Sequence, residues 1–458
     1  MDSGKPGGLN FGVASKTAHQ QGGSIMSKLL SEVAKERGVK NFLVSYTDLF
    51  GTMRAKLVPA RAIDKMARDG AGFAGFATWL DMTPAMPDLF AVPDPASLIQ
   101  LPWKREVAWL AADLYMDGKP VEQAPRGVLK SLIGKLGELG YEMRAGVECE
   151  FFLLAPDGTS IADGADKQTK SCYDQLALMR RYDVITEISE AMDELGWNPY
   201  QSDHEDANGQ FEMNWEYDEA LKTADRHAFF KYMVKSLAEK HGMRATFMPK
   251  PFAALTGSGC HSHVSLWRGE DNAFEDEKGE LGVSDLGYRF LGGLMAHADA
   301  LCALTNPTIN SYKRLSAPRT VSGATWAPAS VTYTGNNRTH MIRIPEGGRF
   351  EFRLADGSAN PYLLQAAILC AGLDGLKTNR HPGERSDFDM YAEPHKCNGA
   401  KRLPQNLLDA LRLFESSPVV KEGLGEAFVS SYAKMKHQEW QDFTRYLTDW
   451  EREQTLDC

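Results

Sequence analysis

Residues 204 to 212, HEDANGQFE, place two glutamates seven positions apart around an Asn-Gly pair. Asn-Gly favours a type I′ turn, because both central residues of that turn need a positive φ. With Asn208 and Gly209 in the turn, the motif predicts a hairpin in which Glu205 lies opposite Glu212. Like charges placed directly opposite each other destabilise a strand pair. A divalent cation bound by the carboxylate oxygens would relieve this repulsion, and a solvated hairpin tip is the alternative.

A second pair of carboxylates lies in the segment GVECEFFLL, where Glu148 and Glu150 are two residues apart on a predicted strand. Alternate residues of a strand point to the same face, so both side chains are expected to point the same way. The apolar run 151–154 indicates a buried strand, in which unpaired carboxylates are costly. The pair therefore predicts half of a metal site, and an exposed strand edge is the alternative.

Two histidines follow a glycine-rich turn in the segment GSGCHSHVSLW. His261, His263 and Ser265 alternate along a predicted strand and therefore share one face. The glycine turn at 257–259 would let a ligand approach the backbone closely. A single histidine is more often a hydrogen-bonded core residue than a ligand, whereas two on one face beside such a turn favour binding about equally with a structural role.

A third strand, GRFEFRLADGSANPY, has one predicted core face and one charged face. The core face holds Phe350, Phe352 and Leu354, and the other face holds Arg349, Glu351 and Arg353. Three more arginines lie in the same part of the sequence, at Arg314, Arg338 and Arg343. Guanidinium groups suit carboxylates and phosphates, although a surface ladder of ion pairs is the alternative. Together these residues predict one site for an anionic substrate, a nucleotide and a divalent metal.

The elements that must position these residues belong to a chain of 458 residues, long enough for two domains. A formal charge of −10 argues against nucleic acid as the main partner. The seven cysteines are scattered and form no C-x-x-C pair, which favours a reducing, cytoplasmic compartment. No apolar run reaches the length of a membrane span, so no membrane partner is expected. No Walker A, kinase glycine loop or Rossmann fingerprint occurs, so a nucleotide would be held by another scheme.

Residues 1–25 are rich in Gly, Ser and Gln and are interpreted as a flexible leader or an expression extension. A short helix ending at Gly38 and two strand-like runs joined across Asp48 to Gly51 predict a small, mostly β domain that ends near Pro125. Beyond it, helical and strand-like segments mix without strict alternation, which predicts an α+β domain.

The motifs ECEFF, HEDANGQFE, ATFMPKPF, GSGCHSH, NPTINSYKR, NNRTHMIRIP and RFEFRLADGSANPY resemble those of the glutamine synthetase family, in the family's order. The resemblance covers nearly all of residues 28–453. It implies a β-grasp N-terminal domain at 26–124 and a catalytic domain at 125–458, with a curved antiparallel sheet and flanking helices. It also implies stacked rings, usually dodecamers, with active sites between adjacent subunits.

The resemblance implies roles residue by residue. One Mg²⁺ or Mn²⁺ ion would be held by Glu150, Glu205 and Glu212, and a second by Glu148, His261 and Glu351. Glutamate would be bound by Gly257, Arg314 and Arg353. ATP, the co-substrate, would be bound by His263, Ser265, Arg343 and Arg349. Arg338 would neutralise the phosphoryl group in transfer, and Asp48 would help to bind ammonium from a neighbouring subunit.

The implied reaction has two steps, formation of γ-glutamyl phosphate from glutamate and ATP, and attack on it by an amine. Glutamine synthetases carry a flap glutamate that closes over the ammonium site, and Thr320 falls near that position here. The segments RTVSGATWAP, at 319–328, and GAGFAGFA, at 70–77, are more similar to glutamate–methylamine ligases, a branch that shares much with type III glutamine synthetase-like proteins. Methylamine is therefore the expected amine.

Three alternatives stay open at this point. The chain could use ammonia as a glutamine synthetase does, or ligate a larger amine such as ethanolamine or a polyamine. A structural oligomer without catalysis is the third, and the presence of all six predicted metal ligands argues against it. Tyr391 falls near a tyrosine that some members adenylylate, but its surroundings differ and no such control is predicted.

Overall fold

The computed structural model describes residues 28–320, 324–397 and 399–458. The predicted leader, residues 1–25, lies outside the described residues. Helices and strands mix without regular alternation, which confirms the α+β class. Among the described helices, none is both long and apolar enough to cross a membrane.

The first sheet is built from strands close to the N-terminus. These are β1 (Asn41–Thr47), β2 (Met53–Pro59), β3 (Ala71–Phe73), β4 (Leu89–Pro93), β5 (Ile99–Gln100), β6 (Val107–Met116) and β7 (Lys119–Pro120). They pair in the order β2-β1-β6-β4-β3, with β5 and β7 also on β6. Strands β1 and β2 form the predicted hairpin, and β1 runs parallel to β6. This sheet therefore holds the loop that carries Asp48.

Two further sheets carry most of the predicted site residues. Their strands are β8 (Glu142–Cys149), β9 (Phe151–Leu154), β10 (Pro199–His204), β11 (Gln210–Trp215), β12 (Asp218–Glu219), β13 (Arg244–Thr246), β14 (Cys260–Arg268), β15 (Asp271–Asn272), β16 (Tyr333–Thr334), β17 (Ile342–Arg343) and β18 (Phe350–Phe352). One sheet has the order β10-β11-β9-β13. The other has the order β12-β8-β14-β18-β17-β16, with β15 on β14.

The segment GVECEFFLL, predicted as one strand, is divided between these two sheets. Strand β8 ends at Cys149 and β9 begins at Phe151, so Glu150 lies between them. Strand β8 pairs with β14, whereas β9 pairs with β11 and β13. The break at Glu150 therefore joins the two sheets at the point where the predicted site residues collect.

The helices are α1 (Leu30–Arg37), α2 (Ile63–Asp69), α3 (Pro125–Glu138), α4 (Gln175–Arg180), α5 (Tyr182–Glu194), α6 (Ala220–Lys240), α7 (Asp285–Thr305), α8 (Ile309–Leu315), α9 (Pro361–Lys377), α10 (Leu407–Ser416), α11 (Pro418–Leu424), α12 (Glu426–Arg445) and α13 (Asp449–Thr455). Helix α1 ends at Gly38, as predicted, and this glycine has a φ of +70°. The sequence analysis missed α7 and α9. These two helices pack against each other and are buried on most sides, so they lack the polar stripe that marks a surface helix.

Candidate active site

Strands β8 and β14 run antiparallel, and their pairing places His261 directly opposite Glu148. The Nδ1 atom of His261 lies 3.4 Å from Oε2 of Glu148, and the Nε2 atom of His263 lies 3.0 Å from Oε1 of the same carboxylate. The two histidines therefore share a face, as their alternation predicts, and both approach Glu148.

Glu150, between β8 and β9, is held by donors from other parts of the chain. Its Oε2 atom accepts hydrogen bonds from the backbone N–H of Gly259, at 2.8 Å, and from Nε2 of Gln210, at 2.9 Å. A Cβ atom at position 259 would lie 2.7 Å from Nε2 of His261. Only glycine fits there, because any larger residue would displace either the carboxylate or the histidine.

The hairpin of the HEDANGQFE motif forms from β10 and β11, but the predicted register is wrong. Asp203, rather than Glu205, lies directly opposite Glu212. The backbone N–H of Glu205 instead donates to the carbonyl of Gln210, at 2.9 Å, where the chain enters the turn. Two carboxylates still face each other across the hairpin, and a third stands beside them.

The predicted type I′ turn is also wrong. Of the two central residues only Gly209 has a positive φ, of +73°, so Asn208 does not adopt the left-handed conformation. The buried carboxylate of Asp166 explains the difference. It accepts hydrogen bonds from the side chain of Asn208 and from the backbone N–H of Gly209, each at 2.7 Å. This tertiary contact overrides the local preference of the Asn-Gly pair.

Carboxylate and imidazole donors converge in three overlapping groups, and within each group the donor atoms lie within 4.8 Å of one another. The groups are Glu148, His261 and Glu351; Glu150, Glu212 and His261; and Asp203, Glu205 and Glu212. Because His261 and Glu212 each belong to two groups, the residues form one continuous cluster, which we call the acidic cluster. It contains all six predicted metal ligands and, in addition, Asp203.

Part of the acidic cluster is difficult to ionise without a cation. Burial, together with the charge of Glu150, raises the pKa of Glu205 to about 8, and burial raises the pKa of Glu150 itself to about 7. Burial and the charges of Glu148 and Glu150 raise the pKa of Asp203 to about 6. The pKa of Glu212 is also raised by burial and by its acidic neighbours. Oxygen donors that repel one another in this way are typical of a site for a hard divalent cation.

Glu351 differs from these carboxylates because two arginines flank it. Nη1 of Arg343 lies 2.7 Å from Oε2, and Nη1 of Arg353 donates to Oε1. Although burial opposes ionisation, the charge of Arg353 lowers the pKa of Glu351 to about 2. Burial and Arg353 together lower the pKa of His261 to about 4, which keeps its imidazole neutral. A neutral imidazole and an ionised carboxylate are the forms that bind metals.

Arg314, Gly257 and Arg353, the residues expected around glutamate, lie near the same cluster. Arg314 is buried, and its Nη1 atom donates to the carbonyl of Leu354 at 3.0 Å. A Cβ atom at Gly257 would lie 2.3 Å from the carbonyl oxygen of Pro249, so no side chain fits at this position. The remaining donors of Arg314 and the open backbone at Gly257 could therefore receive a carboxylate.

A cavity of about 400 Å³ adjoins the acidic cluster at Glu148. His263, Ser265 and Arg349, which are expected to bind ATP, line this cavity. Nη1 of Arg349 lies 2.6 Å from Nδ1 of His263. Arg343, the fourth expected ATP residue, does not line the cavity and contacts Glu351 and Asn336 instead.

The cavity also contains an aromatic wall that the sequence analysis missed. The rings of Tyr217 and Trp267 are stacked, with centroids 6.4 Å apart and an interplanar angle of 26°. The guanidinium carbon of Arg144 lies 4.2 Å from the centroid of Trp267. Such a wall can stack with a purine base, so the cavity can accept a nucleotide.

Arg338 is exposed, and its charge favours the ionised forms of Asp203 and Tyr173. Arg338 therefore lies on the side of the acidic cluster that the hairpin forms.

Asp48 forms its hydrogen bonds within its own loop. It accepts hydrogen bonds from Nε of Arg54, at 2.8 Å, and from the backbone of Phe50 and Thr52. Burial raises the pKa of Asp48 despite the contact with Arg54.

Thr320 lies beside the residues that precede the glycine turn. Its hydroxyl is 3.1 Å from that of Thr256, and the Thr256 hydroxyl in turn donates to the carboxylate of Asp206, next to Glu205. Residues 321–323 of the segment compared with the family flap lie outside the described residues. Thr320 is thus connected through two side chains to the hairpin of the acidic cluster.

Asp203 is the main site residue that the sequence analysis missed. It lies on β10 and precedes Glu205, which follows the end of that strand, by two residues, so the alternation used for Glu148 and Glu150 could have identified it. Its Oδ1 atom is enclosed and has no hydrogen-bond partner among the described residues. An unpartnered buried carboxylate oxygen is costly unless a cation or another donor reaches it.

Comparison with known proteins identifies the family. Residues 122–455 match the family described as glutamine synthetase, catalytic domain. The chain is 62% identical over 430 residues to a glutamine synthetase of Rhizobium meliloti (strain 1021), covering 93% of this chain and 99% of the relative. It is 42% identical over 426 residues to the glutamate–methylamine ligase of Methyloversatilis universalis, covering 91% of this chain and 96% of the relative.

A solved structure titled "GmaS/ADP complex-Conformation 1" is also similar. It superposes with a TM-score of 0.91 at 62% sequence identity, covering 94% of this chain and 99% of the solved chain. A second, titled "Apo GmaS without ligand", has a TM-score of 0.90 at 60% identity, with the same coverage. The sequence and the fold therefore indicate the same family over nearly the whole chain.

Proposed function

The chain belongs to the glutamine synthetase family and is an ATP-dependent glutamate–amine ligase, and on that premise we propose that its amine is methylamine. The product would be γ-glutamylmethylamide, released with ADP and phosphate. Ammonia remains the principal alternative, since relatives named glutamine synthetase are 62% identical.

The observation that carries the choice of methylamine is the place of Thr320. Glutamine synthetases carry a flap glutamate near this position, which adds negative charge over the ammonium site. Here a neutral hydroxyl contacts Thr256 at 3.1 Å instead. A neutral, shorter residue attracts ammonium less strongly and leaves room for a methyl group. The structures titled GmaS, at 62% and 60% identity, support the same choice.

Asp203 is proposed to supply negative charge for the amine in place of the flap glutamate. Its unpartnered Oδ1 atom needs a donor, and a protonated amine carries several. Arg338, which we propose faces the phosphoryl group, lies close enough to Asp203 to affect its ionisation. The amine-binding carboxylate and the reacting phosphate would then be neighbours, as attack on a γ-glutamyl phosphate requires.

The acidic cluster fits two divalent metal ions, which we propose to be Mg²⁺ or Mn²⁺. Glu148, His261 and Glu351 would hold one, and Glu150, Glu205 and Glu212 the other. The raised pKa values of Glu150 and Glu205 are the structural observations that this assignment would satisfy, and Nδ1 of His261 is the ring nitrogen that faces Glu148 and Glu351. When bound, such ions neutralise charge on the phosphates of ATP and on the carboxylate that attacks them.

The protein's own residues have three tasks in this scheme. Arg314 and Arg353 would orient glutamate by its carboxylates, with the bare backbone at Gly257 allowing close approach. His263, Ser265 and Arg349 would hold ATP in the cavity, and Tyr217 and Trp267 would stack with its base. Arg338 would stabilise the negative charge of the phosphoryl group in transfer.

We also propose that the protein assembles into stacked rings, in which Asp48 acts in the active site of a neighbouring subunit. Analytical ultracentrifugation tests this assembly. The hydrogen bonds of Asp48 to Arg54, Phe50 and Thr52 stiffen the loop that would present it. Large apolar side chains near the C-terminus support assembly, since Tyr446 and Trp450 are 70% and 67% exposed in the single chain. We also propose that the chain divides between residues 124 and 125 into a β-grasp domain and a catalytic domain.

The test is phosphate release from ATP in the presence of glutamate and Mg²⁺, with methylammonium and ammonium compared over a range of concentrations. We expect a kcat/KM at least about tenfold higher for methylammonium, equivalent to about 1.4 kcal/mol of transition-state stabilisation. Ethanolamine serves as the larger amine. A higher kcat/KM for ammonium would identify a glutamine synthetase and would exclude the proposed role of Thr320.

A further inference from the structure

Two cysteines are each adjacent in sequence to a predicted metal ligand, and they lie on the opposite face of the same strands. Cys149 follows Glu148 at the end of β8, and Cys260 precedes His261 at the start of β14. The two cysteines are paired directly across the strands. Because successive residues of a strand point to opposite faces, the side that holds Glu148 and His261 is not the side that receives the thiols.

Helix α6 packs against β8 and supplies a histidine to the thiols. Nε2 of His227 lies 3.8 Å from Sγ of Cys260, and donor atoms of His227, Cys149 and Cys260 all lie within 4.8 Å of one another. All three side chains are fully buried. No mechanism proposed above uses any of them.

The donor set is that of a thiophilic cation. Zinc binds thiolate sulfur at about 2.3 Å and imidazole nitrogen at about 2.0–2.1 Å, so two donors on one ion lie about 3.5–3.8 Å apart. The distance of 3.8 Å between Cys260 and His227 already matches this spacing. Soft thiolates also select Cu⁺ among the physiological metals. Hard cations such as Mg²⁺ prefer oxygen donors and belong to the acidic cluster.

Nδ1 of His227 is enclosed and has no hydrogen-bond partner among the described residues. A histidine that only stabilised the core would normally satisfy both ring nitrogens, because an unpaired buried polar atom costs about 1–3 kcal/mol. Coordination of an ion by Nε2 would account for the spacing to Sγ of Cys260, whereas coordination by Nδ1 would satisfy the unpartnered atom, and one metal–nitrogen bond cannot do both. The convergence of three fully buried donors is therefore the observation that indicates an ion.

We propose that Cys149, Cys260 and His227 form a second metal site, for one thiophilic d¹⁰ cation, Zn²⁺ or Cu⁺, behind the catalytic strands. Binding replaces the protons of the two thiols, which pass to solvent, with two metal–sulfur bonds and adds one metal–nitrogen bond. No oxidation is involved. The ion would bind α6 to the two strands that carry Glu148 and His261, and so brace the acidic cluster from behind. The burial of all three ligands implies that the ion is incorporated during folding.

The first measurement is the metal content of the intact protein, purified from cells supplied with zinc or copper and dialysed against EDTA. We expect the wild type to keep about one zinc or copper ion per chain, and Cys260→Ser and His227→Gln to keep less than about a tenth of that. Cys302→Ser is the matched control, because Cys302 is an equally buried free cysteine outside the cluster. Glu351→Ala should also keep the ion, since it alters only the acidic cluster.

The second measurement remains informative if a variant fails to fold. The wild type is unfolded and refolded with Cd²⁺, and the ultraviolet charge-transfer band of cadmium–thiolate bonds is recorded. Carboxylates cannot produce this band, so binding in the acidic cluster is excluded as its source. A band present in the wild type and in Cys302→Ser but weakened in Cys149→Ser supports the site. Wild-type protein without retained metal and without the band would leave a hydrogen-bonded core cluster and overturn the proposal.

Discussion

The hydroxyl of Thr320 lies 3.1 Å from the hydroxyl of Thr256, so the segment compared with the family flap is connected to the residue that precedes the glycine turn. Thr256 also donates to Asp206, in the hairpin of the acidic cluster. A neutral hydroxyl, in contact with Thr256, thus falls near the position where glutamine synthetases place a flap glutamate. Amine selection is therefore expected to depend on this position more than on the metal ligands.

Thr320→Glu tests that dependence directly. The new carboxylate should attract ammonium and take up space near the methyl group, so the ratio of kcat/KM for methylammonium to that for ammonium should fall about tenfold. Steady-state phosphate release with each amine measures the ratio. Thr320→Ser is the matched control, because it keeps the hydroxyl. An unchanged ratio in Thr320→Glu would show that another residue selects the amine.

Asp203→Asn should weaken amine binding, since the amide keeps the shape of the side chain and removes its charge. We expect the KM for methylammonium to rise about tenfold or more, with smaller changes for glutamate and ATP. Asp193→Asn, on an exposed face of α5, is the control. A large increase in the Mg²⁺ concentration needed for activity, with the amine KM unchanged, would instead make Asp203 a metal ligand.

Glu351→Ala should lower kcat by about a hundredfold or more, because Glu351 is the ionised carboxylate that links a proposed metal ligand, His261, with two arginines. Oligomer size should not change, and it is measured by ultracentrifugation beside the activity. Glu422→Gln removes an exposed ion pair with Lys377 and serves as the control. Full activity in Glu351→Ala would contradict the metal assignment.

Trp267→Ala should raise the KM for ATP. Loss of stacking with a base costs about 1–3 kcal/mol in other proteins, so an increase of about tenfold is expected. The KM values for glutamate and methylammonium should change little, because the residues proposed to bind them do not line the cavity. Tyr182→Ala, at an exposed site at the start of α5, is the control. An unchanged ATP affinity would place the base elsewhere.

The metal-free protein should lose stability as the pH rises. Asp203, Glu150 and Glu205 have pKa values of about 6, 7 and 8 in the folded state. In the unfolded chain such groups ionise near pH 4, so the folded state binds more protons between about pH 4 and 8. Stability therefore falls with increasing pH in that window. Tm is measured from about pH 6 to 8 with EDTA and with Mg²⁺, and the stabilisation by Mg²⁺ should grow with pH. A Tm in EDTA that rises with pH would contradict these assignments.

Local pattern predicted several elements correctly. Helix α1 with its end at Gly38, the β1–β2 hairpin, the strand of alternating His261 and His263, and the charged face of Arg353 and Glu351 follow from periodicity and turn chemistry. The helices α7 and α9 escaped detection, because a helix buried on most sides shows no amphipathic stripe.

The sequence by itself determined which residue types are available, namely acidic pairs two and seven positions apart, alternating histidines and clustered arginines. These residues also determined the family and the reaction class. Only the tertiary structure decided which of these residues meet. Asp166, 43 residues from Gly209 in sequence, accepts hydrogen bonds from the hairpin turn, and the strand register places Asp203 opposite Glu212. The break at Glu150 joined two sheets, and β14 brought His261 to both groups of carboxylates. Such partners depend on long-range burial and hydrogen bonding, which local spacing does not encode.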